Sequence, residues 1–215
     1  LDYDNYNGSS VASSFQITNK DKFNIYSECL TTLFEKMKKV LSKSNPYYDK
    51  LFSFLKDYKS QLEQDRVDFC NLNADKYYQY IKMSLEGDKN KIAEVFLEQL
   101  QILIREKLLT GGSDDVDINF QTATAKTNNQ SEKFTMKPKV INSIIATISK
   151  FAGLNDKIIC LNSINLLQLI ALTSKNGIHD ISLGQILTFY FWVYSSSTTS
   201  ILVDSSKKSL TEIIK

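Results

Sequence analysis

Side chains that could do chemistry are few in this chain and far apart. The single histidine, His179, stands in GIHDISL, a stretch that reads as a turn between helices. A Ser or Cys nucleophile usually needs a histidine base beside it, and a turn histidine is far more often a cap or a surface side chain. The three cysteines, Cys29, Cys70 and Cys160, are widely separated and form no C-x-x-C pair. A structural zinc site needs four ligands at short paired spacing, so no metal site is expected. The cysteines read as reduced, mostly buried thiols of a cytosolic protein. No phosphate-binding glycine motif is present. The two glycines of LLTGGSDD are followed by acids, which repel phosphate. Asp114 and Asp115, the closest carboxylate pair there, fall in a polar stretch where they should be solvated. The chain therefore reads as non-catalytic, without cofactor or metal.

Composition narrows the class further. The 215 residues are 42% hydrophobic and 23% charged, with a net charge of +2. That is enough apolar material for a sizeable core. No concentrated basic stripe announces a nucleic acid; lysines such as those of EKMKKV are spaced around a helix beside acids. Only 7 glycines and 2 prolines are present, too few for the many tight turns of a β-sandwich. Long segments with few breakers predict an all-α protein. Residues 1–20 are polar and carry no apolar signal-like core, and read as a flexible tail. The greasiest segment, IICLNSINLLQLIALTS, is interrupted by Asn162, Asn165 and Gln168 at every third position. That stripe argues for a soluble helix rather than a membrane span.

Helical periodicity places the elements. Phe23, Tyr26, Leu30, Leu33, Phe34, Met37 and Leu41 recur at three and four residues and predict a helix from Lys22 to about Ser42. Asn45 before Pro46 reads as an N-cap with proline at the first helical position, opening a helix to about Gln64. A shorter helix, ADKYYQYIKMSLEG, is expected to end at Gly87. A second runs from Lys89 to Leu109, with Gly111 as its left-handed C-terminal residue. A long polar loop follows at about 112–134 and is expected to be mobile. The last third holds a helix with Pro138 in its first turn, then the greasy helix to Gly177. A helix opened by the S-x-x-Q capping box of Ser182 and Gln185 follows, and a final one spans about Ser200 to Lys215. Leu166 and Leu169 are expected to be fully buried.

The helix at 89–109 carries apolar residues over roughly two-thirds of its wheel, against about 100° for an ordinary surface helix. Such a helix must lie between neighbours on both sides. The expected architecture is an irregular armadillo-like array, an α-solenoid of about eight helices forming one domain over 21–215. Aromatic clusters are the remaining feature of note. LTFYFWVY spreads its rings over all sides of one helix, so one face could serve a partner. Tyr77, Tyr78 and Tyr80 form a possible secondary interface.

The order of these features resembles a known family. ADKYYQYIKMSLEGDKNKIAEVFLEQLQILIREKLLTG is similar to the DCB (dimerisation and cyclophilin-binding) domain of large BIG-type Arf guanine-nucleotide exchange factors. Ala74, Asp75, Lys76, Tyr77 and Tyr78 correspond to A-D-K-Y-F. Leu100, Leu103, Ile104, Leu109, Thr110 and Gly111 correspond to L-x-x-L-I-x-x-x-x-L-T-G. VINSIIATISKF, INLLQLIALTSKNGIHDISLGQILTFYFWVYSSS and KKSLTEII resemble the family's C-terminal helices, so the likeness covers about residues 22–215. Ile102, Arg105 and Glu106 depart from the family's lysine, small residue and aromatic.

The resemblance implies a regulatory domain that contacts a neighbouring HUS domain, supports homodimerisation, and binds an Arf-like small GTPase in its GTP form. It implies a cytoplasmic protein, peripheral on the trans-Golgi and held there through partners. The catalytic F-R-L-P-G-E-A loop of the exchange domain has no counterpart here. Val95, Ile102, Arg105, Glu106 and Leu109, on the margin and at the end of the wide helix, are the expected GTPase-binding residues. The competing reading is a generic helical-repeat adaptor or tether in membrane traffic.

Overall fold

A computed structural model describes residues 19–67, 71–115, 138–154, 156–173, 178 and 180–214. Residues 1–18 of the tail expected at 1–20 and most of the expected mobile loop, like Cys70 and His179, lie outside them; Asn19 and Lys20, expected in the tail, are already the start of a helix. Helix α1 spans Asn19–Val40 and α2 spans Tyr48–Val67. A 3₁₀ turn at Ala74–Tyr77 leads directly into α3, Tyr78–Arg105. Helix α4, Val140–Ser149, ends in a 3₁₀ turn at Lys150–Gly153. Helices α5 (Lys157–Thr173), α6 (Asp180–Ser196) and α7 (Ser200–Ile214) complete the chain. The described residues are thus all-α, apart from one isolated antiparallel bridge between Asp114 and Lys139.

Contacts between helices follow chain order. Helix α1 packs on α3, α3 on α5, and α5 on α7, so the odd-numbered helices lie side by side. Helix α2 packs on α1 and α3, while α6 packs on α4 and α7. This explains the wide apolar arc of α3. Ile92, Ala93, Phe96, Leu97, Leu100 and Leu103 are all fully buried, because α1 covers one flank and α5 the other. Burying an aliphatic or aromatic side chain stabilises by about 1.5–3 kcal/mol, so a helix covered on two sides is a main contributor to the core.

Several boundaries differ from the sequence reading. The two helices expected on either side of Gly87 are one continuous helix of 28 residues. A mid-helix glycine costs about 1 kcal/mol relative to alanine, but here close approach requires it. A Cβ at Gly87 would lie 2.9 Å from the Asn45 amide nitrogen. Asn45 is itself buried and its side chain accepts a hydrogen bond from the Tyr47 N–H at 2.8 Å. It supports the turn before α2 rather than capping the helix directly. Helix α3 also stops earlier than Leu109. Lys107 takes the left-handed conformation, with φ 58°. The Lys107 N–H donates to the Ile104 carbonyl, and the Leu108 N–H to that of Leu103. This is the Schellman pattern, with lysine where glycine was expected. Gly111 does have φ 67°, but outside the helix end. At the other boundary, α6 begins at Asp180, so Ser182 is a buried residue within the helix and not its cap. Pro138 precedes the first turn of α4.

Candidate interaction surfaces

The two motifs that carry the family resemblance meet in space. Asp75, at the 3₁₀ turn before α3, is 4% exposed. Its carboxylate accepts the backbone N–H groups of Thr110 at 3.0 Å, Gly111 at 2.8 Å and Ser113 at 3.1 Å. The Thr110 hydroxyl donates to it as well, at 3.0 Å. Burial alone would raise the Asp75 carboxyl. The N–H donors of Gly111 and Ser113 and the Ser113 and Thr110 side chains outweigh it, holding the group below the ordinary carboxylate range. A Cβ on Gly111 would sit 2.5 Å from that of Ile141, so both φ and space demand glycine. The segment then pairs with the start of α4: Val140 N–H to the Ser113 carbonyl and Asp115 N–H to that of Pro138. Asp115, expected to be solvated, is buried and bonded to Lys82 at 2.7 Å and to the Ser143 hydroxyl. ADKYY and LTGGS therefore form one clamp, and its role is architectural.

A second carboxylate organises the tyrosines. Asp65 of α2 accepts from the hydroxyls of Tyr26 at 2.7 Å and Tyr77 at 2.8 Å and pairs with Lys76. Burial, then the hydrogen bond and the charge of Asp65, push both phenols far above their usual value. Tyr78 is fully buried and meets the Thr147 hydroxyl at 2.9 Å. Tyr77 and Tyr78 are thus core residues, which corrects their expected place on an interface. Tyr80 is half-buried, stacked on Phe54 with ring centroids 3.9 Å apart. A buried phenol must find an acceptor, and these do. Cys29 and Cys160 are buried thiols. Burial pushes each up to about 11, helped at Cys29 by the charges of Glu28 and Glu106, which makes both poor nucleophiles.

The expected GTPase-binding residues divide. Val95, Ile102 and Glu106 are half-buried and share the margin of α3; the influence of Glu106 on Cys29 puts that margin beside α1. Arg105 is exposed. Leu109 is only 2% exposed, held under the clamp, and is not free to touch a partner. Leu166 is fully buried as expected; Leu169 is half-buried and faces the rim.

Two apolar surfaces lie outside the expected GTPase-binding residues. On α5, Ile158 and Leu172 are more than half exposed, with Leu161, Asn165 and Leu169 between them. Of the asparagine and glutamine stripe, Asn165 is exposed here, while the Gln168 side chain bonds to Glu212 and Ser209 of α7. Gln101 of α3 donates to the backbone carbonyl of Asn162 at 3.2 Å. Gln101 and Gln168 join α5 to its flanking helices, and leucine and isoleucine share the open side with Asn165. On α6, Phe191, Trp192 and Tyr194 are all exposed. Their mixed wheel positions had given no indication of which face a neighbour would cover.

Among the described residues no group of His, Cys, Asp and Glu is placed to hold a metal ion. No helix among them is long and apolar enough to cross a membrane. In comparisons with known proteins, no family model and no curated protein matches the chain.

Proposed function

We propose that the chain is a non-catalytic interaction domain of an Arf-activating guanine-nucleotide exchange factor, with an armadillo-like arrangement of its helices. It binds an Arf-like small GTPase in the GTP form, which recruits the parent protein to the trans-Golgi. It also contacts a HUS-like neighbouring region or a second copy. The side-by-side order of α1, α3, α5 and α7 supports the fold part of this reading. The joining of ADKYY to LTGGS through Asp75 makes the two matched segments one structural unit.

The observation that carries the functional part is the outward face of α3 and α5. Ile102 and Arg105 stand on α3, and Ile158, Leu161 and Leu172 on α5, open to solvent wholly or in part. Exposed apolar side chains rimmed by polar ones are places where soluble domains make protein contacts. An arginine beside them fits the composition of such interfaces. The generic adaptor reading rests on the same surfaces; the complete parent sequence separates the two, because only the first requires an exchange domain elsewhere in it.

The direct test is binding to GTP- and GDP-loaded Arf-like GTPases. Retention of the GTP form alone is expected. Arg105→Glu and Leu172→Asp change exposed residues, so both variants should melt like wild type. Each should weaken binding at least about tenfold. Ile102→Asp is less clean, since Ile102 is half-buried and a charge there also costs stability. Equal retention of both nucleotide forms, or of neither, would remove the GTPase reading.

A further inference from the structure

Between α6 and α7 the surface sinks into a cleft of about 440 Å³, lined by Phe191, Tyr194, Lys207, Leu210, Thr211 and Ile214. Phe191, Tyr194 and Ile214 are 59%, 51% and 73% exposed. Helical spacing brings Leu183, Leu187, Phe191 and Tyr194 onto one side of α6 and Val203, Leu210 and Ile214 onto the matching side of α7. Leu187, Val203 and Leu210 are half-buried and Leu183 is exposed, so the apolar lining extends along several helical turns.

Shape restricts what can fill it. A bilayer surface is met best by protruding side chains, whereas a cleft receives them. An added strand needs unpaired backbone at a sheet edge, and α6 and α7 spend theirs within the helices. A helix fits, and the chain itself provides the precedent. Helix α3 lies against both α1 and α2, and α6 against α4, α5 and α7. The inward face of α6 shows the pattern such a seat accepts: Ser182, Ile186, Phe189, Tyr190 and Val193, at i, i+4, i+7, i+8 and i+11. The cleft between α6 and α7 continues this arrangement by one position.

Charge restricts the occupant further. Among the described residues that line the cleft, Lys207 is the one that carries a charge. A second copy docking by the same face brings two Lys207 ammonium groups together across the contact. A helix with a carboxylate at that point pairs with Lys207 instead. We propose that the α6–α7 cleft seats an amphipathic α-helix of a partner protein, apolar at i, i+4 and i+7, with an Asp or Glu facing Lys207. This site is separate from the GTPase-binding face and does not depend on it.

The test is fluorescence anisotropy with two synthetic peptides added to the intact chain. One carries leucines at i, i+4 and i+7 with a flanking glutamate; the other has lysine in place of that glutamate. The glutamate peptide should bind about fivefold more tightly, the ordinary worth of an exposed ion pair. Phe191→Ala should weaken it at least about tenfold, and Lys207→Glu should reverse the preference between peptides. Both substitutions are at the surface, so circular dichroism melting should not move. The proposal is overturned if neither peptide binds, if the two bind equally, or if binding ignores Phe191→Ala. It is equally overturned if sedimentation shows a dimer that Phe191→Ala dissociates. Wild-type adsorption to phosphatidylserine vesicles that Phe191→Ala abolishes would assign the face to lipid.

Discussion

The two ends of the molecule use aromatic residues in opposite ways. In α1–α3, Tyr26, Phe34, Tyr58, Tyr77 and Tyr78 are all 1% exposed or less. Phe34 packs edge-on against Phe54, Tyr58 and Tyr77 at 4.9, 5.3 and 5.5 Å between centroids. The hydroxyls of this half end on Asp65, Glu35 and Thr147. At the other end, α6 buries Phe189 and Tyr190, the latter bonded to the Ile164 carbonyl at 2.9 Å, but leaves Phe191, Trp192 and Tyr194 in water. Both ends are aromatic-rich and helical; what differs is the supply of neighbours. Helix α1 is covered by α2 and α3, whereas α6 and α7 have a face that no described helix covers. Aromatic content alone says nothing about burial. The first half buries most of its rings, with Phe52 as an exposed exception at 44%, and the second presents three of them on α6.

If stability is concentrated in the first half, its buried carboxylates should be the most damaging residues to change. Asp75→Ala leaves three backbone N–H groups and a hydroxyl without their acceptor, and should cost about 3–5 kcal/mol in urea unfolding. Asp75→Asn keeps one acceptor oxygen and should lie between. The same residue gives the comparison a pH signature. Its folded-state carboxyl lies below the ordinary value of about 3.9. The clamp's contribution is therefore complete above that ordinary value and is lost as pH falls through the folded-state one. Wild type should lose stability on acidification more steeply than Asp75→Asn. Parallel pH curves for the two would mean that the clamp contributes nothing.

The second half is expected to be stable only on its inward side. Leu166 is fully buried between α5's neighbours, and Leu166→Ala should cost about 2–5 kcal/mol through lost burial and the cavity left behind. Leu169 lies one turn further along and half in solvent. Leu169→Ala should cost less than about 1 kcal/mol. Equal costs at the two positions would mean that α5's outer face is covered in solution, and that the contrast between the two halves is wrong.

How much of this was legible beforehand depended on how local the cause was. Helix faces were readable because apolar spacing repeats: Tyr26, Leu30, Leu33, Phe34 and Met37 all went inside. The two-sided burial of α3 followed from its wide arc in the same way. The continuity of α3 through Gly87 was not readable, because the reason lies in Asn45, more than forty positions away in the chain. Lys107 as the left-handed residue was hidden for a related reason: glycine is the statistical choice, and the hydrogen bonds of Leu108 override it. The tyrosines were ambiguous because a phenol suits a rim or a core equally until its acceptor is known, and Asp65 gives no local sign of pairing with Tyr26 and Tyr77. For the surfaces, periodicity found the outward side of α5 but not its apolar character. The α6–α7 cleft is set by which helices stop covering which, something no single helix records.

The smallest expected effect isolates that difference at a single atom. Gly87 and Gly184 are both exposed glycines inside long helices, so by helix propensity alone alanine should stabilise each by about 0.5–1 kcal/mol. At Gly184, in α6, an added Cβ meets nothing within 4 Å, and the full gain should appear as a raised melting temperature. At Gly87 the same atom lies 2.9 Å from the Asn45 Nδ2 and 3.1 Å from its Cβ. Asn45 has little room to yield: it is 3% exposed, tied to the Tyr47 N–H, and donates to the Met83 carbonyl at 3.4 Å. Gly87→Ala should therefore lower the melting temperature while Gly184→Ala raises it. Pairing Gly87→Ala with Asn45→Ala removes the closest contact and leaves the Cβ at 3.1 Å, so Gly87→Ala should cost less in that background than in wild type. If Gly87→Ala by itself stabilises as much as Gly184→Ala, the turn between α1 and α2 does not press on α3. The first half would then be no more tightly built than the second.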